Sequence, residues 1–146
     1  MARSRVRVRA ATTADADAVF ALVEQLDGYS PERSSFDRGF RDAIERPGSQ
    51  TLFVAEGAGG DVVGYAMVTI TRLLYTRGDA AQIQELAVDA GSRGSGVGSP
   101  LVAAVERECR NRGVRELTVA SSRGADFYTR LDYRSTADFL KKDFGE

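Results

Sequence analysis

The sequence predicts an α/β domain with a mixed central sheet of six to seven strands flanked by about four helices. Three observations predict it. Short strand-like runs alternate with amphipathic helical runs, a glycine-rich loop at 90–98 joins a strand to a helix, and 42% hydrophobic with 28% charged residues is an ordinary globular composition. The 146 residues suffice for one domain, 1–146, with a sizeable core. No internal repeat, low-complexity tract or linker divides them.

Val6 and Val8 alternate with arginines and predict a first strand over 5–10. Thr12 or Thr13 can cap the helix that follows. Asp15 and Asp17 suit its positive first turn, and Val19, Phe20, Leu22, Val23 and Leu26 form its apolar face. Asp27-Gly28 ends it, and 29–34 is a loop. Phe36, Phe40 and Ile44 recur at helical spacing and predict a second helix over 35–45, stopped by Pro47-Gly48. Residues 50–56 and 62–71 read as a hairpin around the glycine-rich turn 57–61, and 75–80 as a polar connection. A strand over 82–89 leads into the loop, and a helix over 101–111 leaves it with Leu101, Val102, Val105 and Cys109 inward. Gly113 caps that helix. A strand over 116–120, a short helix over 124–131 and one or two closing strands over 133–144 complete the order.

Composition removes several functions. The net charge of −1 lacks the basic excess of a nucleic-acid binder. Arg3, Arg5, Arg7 and Arg9 alternate with small or apolar residues, which predicts the solvent face of an edge strand. With no histidine, a Ser-His-Asp triad, a Cys-His dyad and histidine-ligated zinc are excluded, and no metal is expected. Cys109 is the single cysteine, so no intramolecular disulfide can form. It sits on an apolar helix face and reads as core. No apolar run reaches membrane-spanning length and the N-terminus has no apolar signal core, so the expected location is the cytoplasm.

The most informative stretch runs from Leu86 to Ser99, where a strand enters, glycines turn and a helix leaves. Free N–H groups at a helix N-terminus, with the helix dipole, attract anions. Glycines let backbone approach phosphate without a Cβ clash, and Pro100 falls in the first turn, where a missing N–H costs little. A P-loop needs a Gly-Lys-Ser/Thr that is absent, and the spacing here is G-x-G-x-G where a dinucleotide fingerprint needs G-x-G-x-x-G.

Arg93-x-x-Gly96-x-Gly98, preceded by Leu-Ala-Val-Asp, resembles the pyrophosphate-binding pattern of the GNAT acetyltransferases. Asp126 to Tyr133 resembles a second segment of that family, F-Y-x-x-x-G-F/Y. The likeness covers nearly the whole chain in element order and 82–134 in motif. It implies a GNAT-like fold and an acetyl-CoA-dependent N-acetyltransferase. The strand edge at Leu86, Ala87 and Val88 would then bond the pantetheine arm, with one N–H on the thioester carbonyl. The backbone of Arg93, Gly94, Ser95, Gly96, Val97, Gly98 and Ser99 would cradle the pyrophosphate. Ser121, which would hydrogen-bond the cofactor with a shorter reach, stands where the family often has Asn, Gly124 where it has Ala, and Asp132 where it has Gly.

The resemblance makes Tyr128 the candidate general acid that protonates the departing thiolate, and a core tyrosine at the start of a packed helix is the other reading of it. Glu85 resembles the acidic residue of small-amine GNATs and is the candidate base, but Gln84 occupies the other acidic position of that pattern. Strand alternation puts Gln82 and Gln84 on one face and Ile83 and Glu85 on the other, so Glu85 reaches a site facing Gln84 only through a bulge. A solvated strand residue is the other reading of Glu85. A water chain to a distant carboxylate, or entry of free amine, would replace it as base. Tyr29, Phe36, Tyr65 and Tyr75 fall near the acceptor region, and any one of them can equally be packing. Lys141 and Lys142 read as a solvated strand end. The implied acceptor is a small amine, with a protein N-terminus or lysine next, and a homodimer is possible. A non-catalytic acyl-CoA-binding module is the competing class.

Overall fold

A computed structural model describes residues 6–46, 48–121 and 124–145. Arg3, Arg5 and Pro47 lie outside the described residues. Strand β1 (Arg7–Ala10) leads through a 3-10 turn (Thr13–Asp15) into helices α1 (Ala16–Val23) and α2 (Arg33–Glu45). Strands β2 (Gln50–Glu56), β3 (Val62–Arg72) and β4 (Asp79–Val88) follow as an antiparallel meander. A second 3-10 turn (Ala90–Ser92) precedes α3 (Gly98–Asn111), then β5 (Glu116–Val119) and α4 (Ala125–Arg130).

Among the described residues the sheet has five strands in the order β1-β2-β3-β4-β5, and β5 runs parallel to β4. A parallel partner needs a crossover, and α3 supplies it. One face of the sheet packs against α3 through Val68, Ile83, Leu101, Val102 and Val105. The other packs against α1 and α2 through Val19, Leu22, Phe40, Val54 and Tyr65. Both faces are covered, which accounts for the long apolar runs in β2 and β3.

The six to seven expected strands are corrected to five. Residues 133–145 form no strand, and Phe139, Leu140 and Phe144 are exposed at 72%, 89% and 87%. A strand requires a neighbouring edge to complete its hydrogen bonds. Phe139 and Leu140 are also adjacent, so no alternation defines a buried face.

Strand β1 is an edge strand with Arg7 exposed, as its alternation predicts. The Arg9 guanidinium, half-buried, is paired: its two Nη groups donate to the Asp15 carboxylate at 2.8 and 2.9 Å, and its Nε donates to Glu56. Asp15 is buried and also accepts the Thr12 N–H at 2.8 Å, closing the helix entry. This network ties the start of α1 to β1 and β2.

Candidate active site

The site is organised by an irregularity in β4. Met67 of β3 pairs with Glu85, but its neighbour Val68 pairs with Ile83, so Gln84 is an extra residue without an opposite number. Such a bulge shifts the alternation by one. Before it, Ala81 and Ile83 face α3; after it, Leu86 and Val88 do. Glu85 and Ala87 are therefore turned to the face covered by α1 and α2, where Ala87 joins the second core cluster. Regular alternation would have sent Glu85 to the α3 side.

On that face lies a cavity of about 470 Å³ between α1, α2 and strands β2 to β4, and Glu85 lines it. Tyr65, only 1% exposed, donates its hydroxyl to Glu85 Oε1 at 2.7 Å. Burial, then the neighbouring carboxylate, pushes the Tyr65 phenol far up, so it remains a donor. The hydrogen bond fixes the Glu85 side chain in the cavity wall. Gln84 Nε2 donates to Thr69 Oγ1 at 2.9 Å and stays exposed.

The opposite edge of β4 opens at the same place. Pairing with β5 ends at Ile83 and Val119, while β4 runs on to Val88. Residues 84–88 thus present an edge with no β5 partner, including the three positions expected to meet a pantetheine arm. A strand edge offers N–H and C=O groups in a row, the geometry an extended amide chain needs.

Beyond Val88 the loop leads to the N-terminus of α3. Gly94 and Gly96 have φ of +82° and +81°, a region in which a side chain is strained, and both have open space around the Cβ position. Backbone conformation therefore requires these glycines, not crowding by protein atoms. Ser95 donates its N–H to Ser92 O at 3.2 Å, and Arg93 Nε donates to Val88 O at 3.3 Å. Val97 is buried and packs α3 onto β3, where a Cβ at Gly64 would meet Val97 and Leu101 at 3.1 Å. The N–H groups of Gly98 and Ser99 open α3 and have no carbonyl one turn earlier. Free edge, positive-φ glycines and helix start together fit an acyl-CoA. The loop entry is pinned from α1's side: Gln25 Nε2 donates to Asp89 Oδ1 and Ala90 N–H donates to Gln25 Oε1, both at 2.9 Å.

Helix α4 borders this loop. A Cβ at Gly98 would come within 3.1 Å of the Phe127 ring, and Tyr128 packs edge-on against Phe127 and Tyr133. Tyr128 is 8% exposed, and burial raises its phenol pKa, so it stays protonated at neutral pH. Among the described residues none bonds its hydroxyl. Ser121 Oγ accepts the Gly124 N–H at 2.8 Å and so helps shape the turn into α4.

A model of the acetyltransferase (GNAT) family matches residues 16–133, most of the chain. The chain belongs to the GNAT family. It is 33% identical over 134 residues to an aminoalkylphosphonate N-acetyltransferase of Salmonella typhimurium, covering 88% of this chain and 85% of that one. Among solved structures it resembles a transcriptional regulator from Bacillus halodurans, with a TM-score of 0.86, 26% identity, and coverage of 96% and 100%. Glucosamine-6-phosphate N-acetyltransferase from Arabidopsis thaliana shares the fold at a TM-score of 0.81 and 24% identity, with coverage of 97% and 99%.

Within this GNAT domain the sequence-predicted residues fall into two groups. Residues 86–88 and 93–99 form a continuous edge and loop, and Tyr128 packs beside the helix that follows. Glu85 lies across the strand, in the cavity with Phe36 and Tyr65. Tyr29 and Tyr75 are exposed. Cys109 is buried in the α3 core, and burial raises its thiol pKa. The Tyr65–Glu85 bond and the Gln25 clamp escaped sequence reading. The sequence singles out both Glu85 and Tyr65, but the register that joins them depends on the bulge.

Proposed function

We propose that this chain, acting as one domain, transfers an acetyl group from acetyl-CoA to the primary amine of a small molecule. One observation carries the reading: the bulge at Gln84 turns a carboxylate into a cavity at the stretch where the other edge of β4 is free. Acceptor and acyl donor can then meet across a single strand. The Leu86–Val88 backbone would hold the pantetheine and the 93–99 loop the pyrophosphate, and acetyl-CoA, when bound, supplies the activated thioester. A backbone donor on the thioester carbonyl is worth roughly 3 kcal/mol in comparable acyl transfer.

Glu85 takes the proton that the ammonium must lose, its carboxylate held by Tyr65. Tyr128 gives its phenolic proton to the departing sulfur and regains one through water, which takes the second proton that the nitrogen loses. Overall one C–N bond forms, one C–S bond breaks, and one proton is released. The glutamine at 84 does not leave the site without a carboxylate, because the bulge sets Glu85 there instead.

Calorimetric titration with acetyl-CoA, followed by turnover with an amine panel, tests this. Micromolar binding with turnover is expected, as is a fall in kcat of about 100-fold for Tyr128→Phe with acetyl-CoA affinity kept. Binding without transfer to any amine would favour the non-catalytic module, and unchanged kcat in Tyr128→Phe would remove its role as acid. We further propose a cytoplasmic location, supported by a lone buried cysteine, and pairing with a second copy, supported by the exposed apolar residues of the C-terminal segment. Among the described residues no helix is long and apolar enough to cross a membrane.

A further inference from the structure

The geometry points to an acceptor that is a primary amine with an apolar, aryl-sized body and no anionic group. This rests on the acetyltransferase reading and concerns the cavity at Glu85. Its walls are chiefly apolar: Val19 from α1, Phe36 and Phe40 from α2, and Leu52 and Met67 from the sheet. Phe36 and Phe40 stack with centroids 5.4 Å apart and offer a broad aromatic surface. A volume of about 470 Å³ suits a small organic molecule.

The charged residues that line this cavity have one sign. Glu32, Asp42 and Glu85 line it, and no lysine or arginine does among the described residues. None of the three arginines of α2, Arg33, Arg38 and Arg41, lines the cavity. Arg33 is held by Asp17 at 2.7 Å and Asp37 at 2.8 Å, with its guanidinium 5.1 Å from the Phe20 ring centre. Arg38 lies near the rim, where it donates to Ser35 Oγ at 3.3 Å and offsets part of the charge of Glu32. Asp42 and Glu85 remain to attract a cation.

An ammonium group is drawn in by this field, and a carbon skeleton is accommodated by the aromatic wall. A phosphonate or carboxylate would need paired donors, of the guanidinium kind, and finds carboxylates instead. The Salmonella relative is named for an aminoalkylphosphonate. This chain's cavity lacks the charge that such a group requires. A linear polyamine would meet the same carboxylates but cover less of the apolar and aromatic wall than an aryl body does.

The test compares phenethylamine, 2-aminoethylphosphonate and spermidine at saturating acetyl-CoA, read as free thiol released per second. A kcat/KM for phenethylamine at least tenfold above both others is expected. A preference for 2-aminoethylphosphonate or for spermidine would overturn the inference while leaving acetyl transfer intact. Failure of all three while acetyl-CoA still binds would also overturn it. A folded protein that binds no acetyl-CoA would instead remove the acetyltransferase reading beneath it. Asp42→Lys, at an exposed position of α2, supplies a second readout. The ratio of kcat/KM for phenethylamine to that for 2-aminoethylphosphonate is expected to fall at least fivefold. An unchanged ratio would mean that cavity charge does not select the acceptor.

Discussion

Asp132 holds a backbone conformation that its side chain disfavours. Its φ is +71°, the one positive value of a non-glycine among the described residues, just past the C-terminus of α4. Helices commonly end with a left-handed residue at this position, and glycine is favoured there because it has no Cβ to strain. That accounts for the glycine in the family pattern and for the mild nature of this departure. Asp132→Gly is predicted to stabilise the fold by about 0.5–1 kcal/mol and raise Tm by roughly 1–3 °C. A thermal melt with unchanged or lower Tm would show that Asp132 makes a compensating interaction. At the same scale Gly94 and Gly96 keep the loop open through positive φ, whereas Gly98 and Gly64 permit close approach of neighbouring elements.

Between elements, the strongest local tie is electrostatic. Arg9 of β1 grips Asp15 at the entry to α1 and Glu56 at the end of β2. The guanidinium, chiefly through its hydrogen bonds, lowers the pKa of the Asp15 carboxyl despite burial. A carboxylate lowered in the folded state contributes stability that is full above its unfolded pKa and is lost as pH falls through the folded one. Asp15→Asn is therefore predicted to lower stability by about 1–3 kcal/mol at pH 7. The gap to the parent protein should shrink below about pH 4. Urea unfolding at pH 7 and pH 3 checks both points, and an equal gap at the two would refute the ion-pair account. The bulge in β4 acts at this scale as well, because one unpaired residue reorients everything C-terminal to it in the strand.

For the whole molecule, the strand order leaves β5 at one edge and the segment 133–145 outside the sheet. That segment exposes Phe139, Leu140 and Phe144, with Lys141 Nζ 5.8 Å from the ring centre of Tyr29 in the loop after α1. Apolar side chains gathered at one surface favour association. Light scattering is predicted to give about twice the 15.8 kDa chain mass for the parent protein. A single-chain mass is predicted for Phe139→Ser combined with Leu140→Ser. A parent protein that stays single at high concentration would dismiss the dimer.

The sequence alone determined the alternation of elements, the glycine loop before α3 and the family to which both motifs point. These are local properties. Apolar periodicity is written in neighbouring residues, and a strand–glycine–helix junction needs only its own backbone. Tertiary structure decided which face Glu85 occupies, because a bulge is defined by the register of the opposite strand and that register is not encoded in β4. It likewise joined Tyr65 to Glu85 across the β3–β4 ladder, Gln25 to Asp89, and Arg9 to Asp15 and Glu56. Each of these bonds forms between polar side chains that different elements bring together. It also decided that the C-terminal residues form no strand: β5 leaves an open edge, and the segment 133–145 does not pair with it.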